Sequence, residues 1–311
     1  MEPTLPEGYN DLKNKLDFEL PISYPFNGEW VKDVELLKSN GVAEEVFLKR
    51  SAEKSYTWIA NIITIASAKL GNNDVAVKAR EEFVKSKSIT IPAVVRKMYL
   101  ANANTMLLEV HRRVWQNLMR TQEIMCKYCT KMLVSDIDLN RIEMGEENLA
   151  VIKEAGETPF EYIKVPLVDG FTLDEFITKM KKEETLGDLK GIVFNEMVFR
   201  IPLLEDAIKN EKLAASDNIK FWRKMAIDCT VQIKSMKDSK EIAAFPMDQY
   251  IFLALKLFDN YLTREDLALI RTCLREDVPT MPFDYKDTCP CDQQREIPMA
   301  MEATGFFSER R

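Results

Sequence analysis

The sequence predicts an all-α protein of two helical lobes with extended N- and C-terminal arms. Three observations lead there. Ten glycines in 311 residues is about half the usual share of roughly 7%, and glycine supplies the turns of hairpins and the phosphate loops of α/β enzymes. Apolar residues recur at helical spacing through most of the chain. Hydroxyl and acidic residues stand ahead of several of these runs, as helix N-termini require. Hydrophobic residues at 46% and charged residues at 30% are ordinary globular values and exclude wholesale disorder.

Residues 1–28 carry prolines and acids without periodicity and read as an arm. Trp30–Ser39 reads as a short amphipathic helix stopped by Asn40-Gly41. Ser51 opens a longer helix with Tyr56, Ile59, Ile63 and Ala66 on one face, ending before Gly71. Asn73 or Asp74 caps the next, through Val84. Thr90-Ile91-Pro92 starts another, with proline in the tolerated first turn, running to Leu133 with a break near Asn102-Ala103-Asn104.

Between Gly145 and Pro159 acidity rises and the apolar pattern weakens, so the lobes are 29–145 and 146–276. Thr158-Pro159-Phe160-Glu161 and Thr172-Leu173-Asp174-Glu175 read as capping boxes. Pro202 splits the segment from Ile192 to Ile208. Asp217 opens a helix through Met236, and Pro246 precedes one over Met247–Tyr261. Thr263-Arg264-Glu265-Asp266 opens the last, ending near Glu276, and residues 277–311 form the second arm. Tyr162–Leu167 and Ile89–Val95 have strand composition but no glycine-turn partner for a hairpin. No internal repeat of fixed period is visible.

Charge is the feature that bears most on function. The chain carries a net −7, yet residues 78–131 hold eleven Lys and Arg against four acids, a local +7. A basic region kept inside an acidic protein points to an anionic partner. On a helix over 107–133, Arg113, Arg120, Lys127 and Lys131 form a stripe away from the apolar face, with Trp115 and Tyr128 beside it. Cations that track phosphates and aromatics that stack on bases are the combination used by single-strand binders. Arg96, Lys97 and Arg112 extend the phosphate set, and Tyr99 is a second stacking candidate. Lys220, Arg223 and Lys224 surround Phe221-Trp222 and form a smaller cluster.

The expected function is a self-associating nucleoprotein for single-stranded RNA, a homo-oligomer through its arms. A helical protein-interaction scaffold without nucleic-acid binding ranks second, and an enzyme using acids and lysines alone ranks third. His111 is the one histidine, so imidazole-rich metal sites are excluded. Walker, Rossmann and Glu-x-x-His patterns are missing, and no enzyme is expected.

Cys126-Lys127-Tyr128-Cys129 and Cys289-Pro290-Cys291 would make a four-thiolate zinc site if they converged. Zinc knuckles sit in turns, whereas Cys126 and Cys129 fall in a helix-like run, so no cofactor is expected. Fifteen methionines read mainly as core filler. No run approaches eighteen apolar residues, so no membrane partner is expected. Six cysteines without a secretory pattern point to the cytoplasm, or the nucleus.

Overall fold

The computed structural model describes residues 16–49, 55–115, 119–125, 129, 132–138, 146–155, 160–175, 189–247, 250–278, 284–288 and 296–300. It overturns the all-α expectation: two four-stranded antiparallel sheets accompany the helices, and the fold is mixed α/β. The chain divides into two compact units, 1–159 with 203–208 and 279–311, and 160–202 with 209–278.

In the first unit come β1 (Asp17–Phe26), β2 (Glu29–Leu36), α1 (Gly41–Leu48), α2 (Ser55–Ala66), β3 (Ser67–Leu70) and β4 (Asn73–Asp74). Then follow α3 (Ala76–Ser86), α4 (Ala93–Arg96), α5 (Leu100–Val110), the hairpin β5 (Met119–Met125) and β6 (Met132–Asp138), and α6 (Glu146–Ala155). The sheet order is β1-β2-β3-β4. Helix α2 is its core: Trp58, Ile59, Ile62, Ile63 and Ile65 are all at most 3% exposed, and it packs against α1, α3 and α5.

The stretch expected as a helix over Trp30–Ser39 is β2. Asn27 and Gly28 both take positive φ, 50° and 82°, the turn that matches the twist of a two-residue hairpin. The helix expected over 107–133 also fails. It is α5 as far as Val110, a π-helical turn over His111–Trp115, and then strand from Met119. The expected break near Asn102-Ala103-Asn104 lies inside α5, which is continuous there.

The second unit contains β7 (Tyr162–Thr172), β8 (Val193–Arg200), α8 (Asn218–Cys229), β9 (Thr230–Lys237), β10 (Lys240–Pro246), α9 (Ile251–Asn260) and α10 (Arg264–Glu276). Helix α7 (Leu204–Ser216) begins in the first unit and ends in the second. Asp217 caps α8 by accepting from the Lys220 amide, and Thr263 and Asp266, expected only to open the last helix, form a capping box there. The run from Asp217 leaves the helix after Cys229 and continues as β9. The β9–β10 turn places Asp238 and Ser239 at φ 51° and 61°. Hairpin turns here are therefore built partly from Asn, Asp and Ser in the left-handed region, and a shortage of glycine did not mean a shortage of hairpins.

The two units repeat one design. Each runs an antiparallel strand pair, two helices, a second strand pair and further helices (three in the first unit, of which α4 is a single turn, and two in the second), with sheet orders β1-β2-β3-β4 and β7-β8-β9-β10. Pairs Val34–Leu70, Glu35–Lys69 and Leu36–Ser67 recur as Met197–Ile233, Val198–Gln232 and Phe199–Thr230, a constant offset of 163 residues. The irregularity between Glu35 and Leu36 recurs between Val198 and Phe199. The first strand repeats at an offset of 147, and its irregularity from Glu19 to Tyr24 recurs from Pro166 to Phe171. Every buried residue of α8 (Phe221, Met225, Ala226, Ile227, Cys229) corresponds at offset 163 to a buried residue of α2 (Trp58, Ile62, Ile63, Thr64, Ala66).

Polar details repeat as well. Both central helices pass straight into a strand, which leaves carbonyls near their C-termini without helical partners. Ile65 O accepts two hydrogen bonds from Arg80, at 3.0 and 2.8 Å, and its counterpart Asp228 O accepts one from Arg200 at 3.2 Å. The third residue of α5, and likewise of α10, is a buried latch onto the bulged part of its unit's first strand. Asn102 Nδ2 donates to Ile22 O at 2.7 Å, and Asp266 Oδ1 accepts from the Val168 amide at 2.7 Å.

Candidate functional site

The most built cluster of charge lies at the end of α5. Glu109, Arg112 and Arg113 are three and four residues apart and share one helix face. Arg112 Nη1 donates to Glu109 Oε1 at 2.8 Å and Arg113 Nε to Oε2 at 2.5 Å. The three side chains are only 8–11% exposed. Arg113 also donates to Asp17 O at 3.2 Å and lies 5.2 Å from the Phe18 ring centroid. Beside it is a cavity of about 330 Å³, lined by Phe18, Leu20, Lys32, Thr105, Arg113 and Ile152 among others. Thr105 Oγ1 is buried there without a hydrogen-bond partner among the described residues.

A second cavity, about 160 Å³, is lined by Lys49, Trp58, Asn61, Phe83 and Lys87 among others. Both lysines pair with Glu45, at 2.8 and 2.9 Å. Their ammonium groups lie 4.8 and 5.2 Å from the Phe83 ring centroid. The Lys49 hydrogen bond, then that of Lys87, holds the Glu45 carboxyl below its ordinary value, and the charges of both lysines add to this. Among the described residues no three His, Cys, Asp or Glu gather as metal ligands.

The expected RNA residues scatter over several local roles. Lys97 pairs with Glu205 at 2.5 Å. Tyr99 is 4% exposed and packs against Tyr24, with ring centroids 6.2 Å apart, so its ring is core. Arg96 is exposed. Trp115 closes the π turn, and Arg120 belongs to β5 rather than to a helix. Arg113 and Arg120 therefore lie on different elements and not on one helical stripe. Lys127 and Lys131 lie outside the described residues, as do Cys126, Cys289 and Cys291, while Cys129 is half-buried. In the second cluster Lys220 pairs with Asp217, Arg223 with Asp259 and Lys224 with Asp228.

His111 is fully buried, edge-on to Phe47 with ring centroids 5.3 Å apart. The i,i+4 spacing of Glu109 and Arg113 is legible in the sequence as a pair on a solvated helix; that the pair is buried and takes in Arg112 is not. The fold and these clusters define a repeated α/β protein in which many of the described cations pair with its own acids and carbonyls. Comparison with models of known families, with characterised proteins and with solved structures returned no match. No helix among the described residues is long and apolar enough to cross a membrane.

Proposed function

We propose that the chain is a protein-interaction scaffold that associates with further copies of itself. One observation carries this reading. The corresponding helices α3 and α9, one in each repeat, leave apolar side chains in solvent: Val77 at 60% and Val84 at 62%, and Phe252 at 65% and Leu255 at 38%. Val77 and Val84 are two helical turns apart and share a face. Paired exposed apolar residues on one helix of each unit fit contacts between copies.

The charge pattern supports the same reading. Of the eleven cations between 78 and 131, Arg80 holds a backbone carbonyl, and Lys87, Lys97, Arg112 and Arg113 hold carboxylates. The competing reading, an RNA nucleoprotein, draws its support from the local +7 and from exposed Lys78, Lys85 and Arg96.

The test combines light scattering over a concentration series with anisotropy of a labelled single-stranded RNA at two salt concentrations. The scaffold reading expects a mass that rises with concentration and falls toward monomer in Val77→Asp/Val84→Asp or Phe252→Asp. It expects no RNA binding. A monomer at every concentration, or tight RNA binding that weakens steeply with salt, overturns it in favour of another function.

A further inference from the structure

The smaller cavity of the first unit has an apolar floor and a cationic mouth, and we propose that it binds a small monocarboxylate with a compact apolar body. Val46 of α1, Trp58 of α2 and Phe83 of α3 line it and are at most 3% exposed. Ile89 adds a further apolar group. Trp58 Nε1 donates to Phe47 O at 3.1 Å, so the indole N–H is already engaged and the ring is what faces a ligand. Lys49 and Lys87 line the same cavity, with side chains 50% and 59% exposed. An apolar interior with a few charged groups at one end is the usual form of a small-molecule site, the charged groups fixing orientation.

Size and charge select the ligand. The cavity has a volume of about 160 Å³, and a protein cavity of about 150 Å³ accepts a benzene ring. Lys49 hydrogen-bonds Glu45 Oε1 and Lys87 hydrogen-bonds Oε2. Among the described residues Glu45 is the one acid paired with either lysine. Two cations on one carboxylate leave the cluster at +1, which a single further carboxylate neutralises. A phosphate dianion would overshoot that charge, and its oxygens would lose hydration against the apolar floor without hydrogen bonds in return.

The backbone supports the same assignment. Lys87 directly follows α3 at φ 57°, the left-handed position at a helix end where glycine is the usual residue. A lysine there carries a conformational cost that glycine would not. What it brings is an ammonium 2.9 Å from Glu45 and 5.2 Å from the Phe83 ring centroid, beside the Lys49 ammonium at 4.8 Å from the same ring. The ligand's apolar body rests on Trp58 and Phe83, and its carboxylate meets the two ammonium groups in competition with Glu45. Glu45 thus holds the lysines in place and limits affinity at once. The site does not depend on self-association through Val77 and Val84.

The experiment titrates the full chain with benzoate and follows the tryptophan indole N–H signals by NMR, Trp58 being assigned through Trp58→Phe. Calorimetry reads the same affinities without that assignment. Benzoate should bind saturably with a Kd at or below about 1 mM and shift the Trp58 signal. Benzamide, its uncharged isostere, should bind weaker by about tenfold or more, as should benzoate to Lys49→Gln/Lys87→Gln. Glu45→Gln, which releases both ammonium groups, should tighten benzoate by about threefold or more, a gain that no folding defect can produce. No saturation up to about 10 mM benzoate overturns the proposal and leaves the lysines as charges at the C-terminal ends of α1 and α3. Benzoate binding that the double lysine variant keeps, that benzamide matches, or that Glu45→Gln does not tighten overturns it too. Displacement of benzoate by an equal concentration of inorganic phosphate would reassign the cavity to a phosphate ligand.

Discussion

Replacing Glu109 by Gln separates the structural role of the α5 arginines from an RNA-binding one. The carboxylate holds two guanidinium groups at 2.8 and 2.5 Å, with all three side chains 8–11% exposed. Removing one partner of a buried ion pair costs about 3–5 kcal/mol, because the remaining charge is left desolvated and uncompensated. Gln keeps one acceptor oxygen, and a neutral hydrogen bond recovers about 1 kcal/mol, so a loss near 3 kcal/mol is expected. That is a large part of the roughly 5–15 kcal/mol that holds a domain together. Urea unfolding followed by far-UV circular dichroism reads it as a lower midpoint of the first unit's transition. Adding Arg112→Met and Arg113→Met should restore most of the loss, since apolar replacements of a buried ion pair are often neutral or stabilising. A loss under about 1 kcal/mol, the value of an exposed pair, refutes the argument. So does a gain in RNA affinity, which would mean that Glu109 masks a phosphate site.

Tyr24→Phe should cost about 1–2 kcal/mol in the same assay, because the buried hydroxyl donates to Val94 O at 3.0 Å and its removal orphans that carbonyl. Asn102→Ala and Asp266→Ala should each cost about 2 kcal/mol, because both are 0–1% exposed latches onto a first strand. A large loss at one position and none at the other would break the equivalence of the repeats. Burial raises the Asp228 carboxyl, but the Lys224 hydrogen bond and charge, the Asn210 hydrogen bond and the Lys209 charge outweigh it and hold it below its ordinary value. A lowered folded-state value means that this group adds stability above the unfolded carboxylate range, around pH 4, and loses it as pH falls through the folded value. Asp228→Asn should therefore flatten the acid limb of a stability–pH curve, whereas a limb parallel to the wild type would exclude Asp228 as its source.

Some of the fold was legible because it rests on local chemistry. The Asp217 cap and the Thr263–Asp266 capping box need only side chains within three residues of the amides they hold. The helix from Ser51 was found because its face of Ile59, Ile63 and Ala66 is buried by any fold that packs it. Strand composition over Tyr162–Leu167 was visible too, but its partner β8 lies 20 residues away and is joined by no tight turn. Strand β2 was misread because a short apolar run suits either period, although Asn27-Gly28 ahead of it was an available hairpin signal.

The repeat shows where sequence stops. Across α2–β3 and α8–β9, from Ser55–Leu70 to Asn218–Ile233, no residue is identical at offset 163, yet every buried position of α8 falls on a buried position of α2 and the strand register coincides. Packing asks for volume and apolarity at a position, not for a particular residue. The candidate site divides in the same way. Composition alone established that residues 78–131 are basic, and side-chain type alone established two cysteine pairs. Which cations meet carboxylates was decided by tertiary structure. Glu205 reaches Lys97 across 108 residues, and pairing of strands distant from the apolar helical pattern turned an expected helix into a hairpin. Local sequence sets what a segment can form; the competition for burial and for backbone hydrogen bonds across the whole chain selects what it does form.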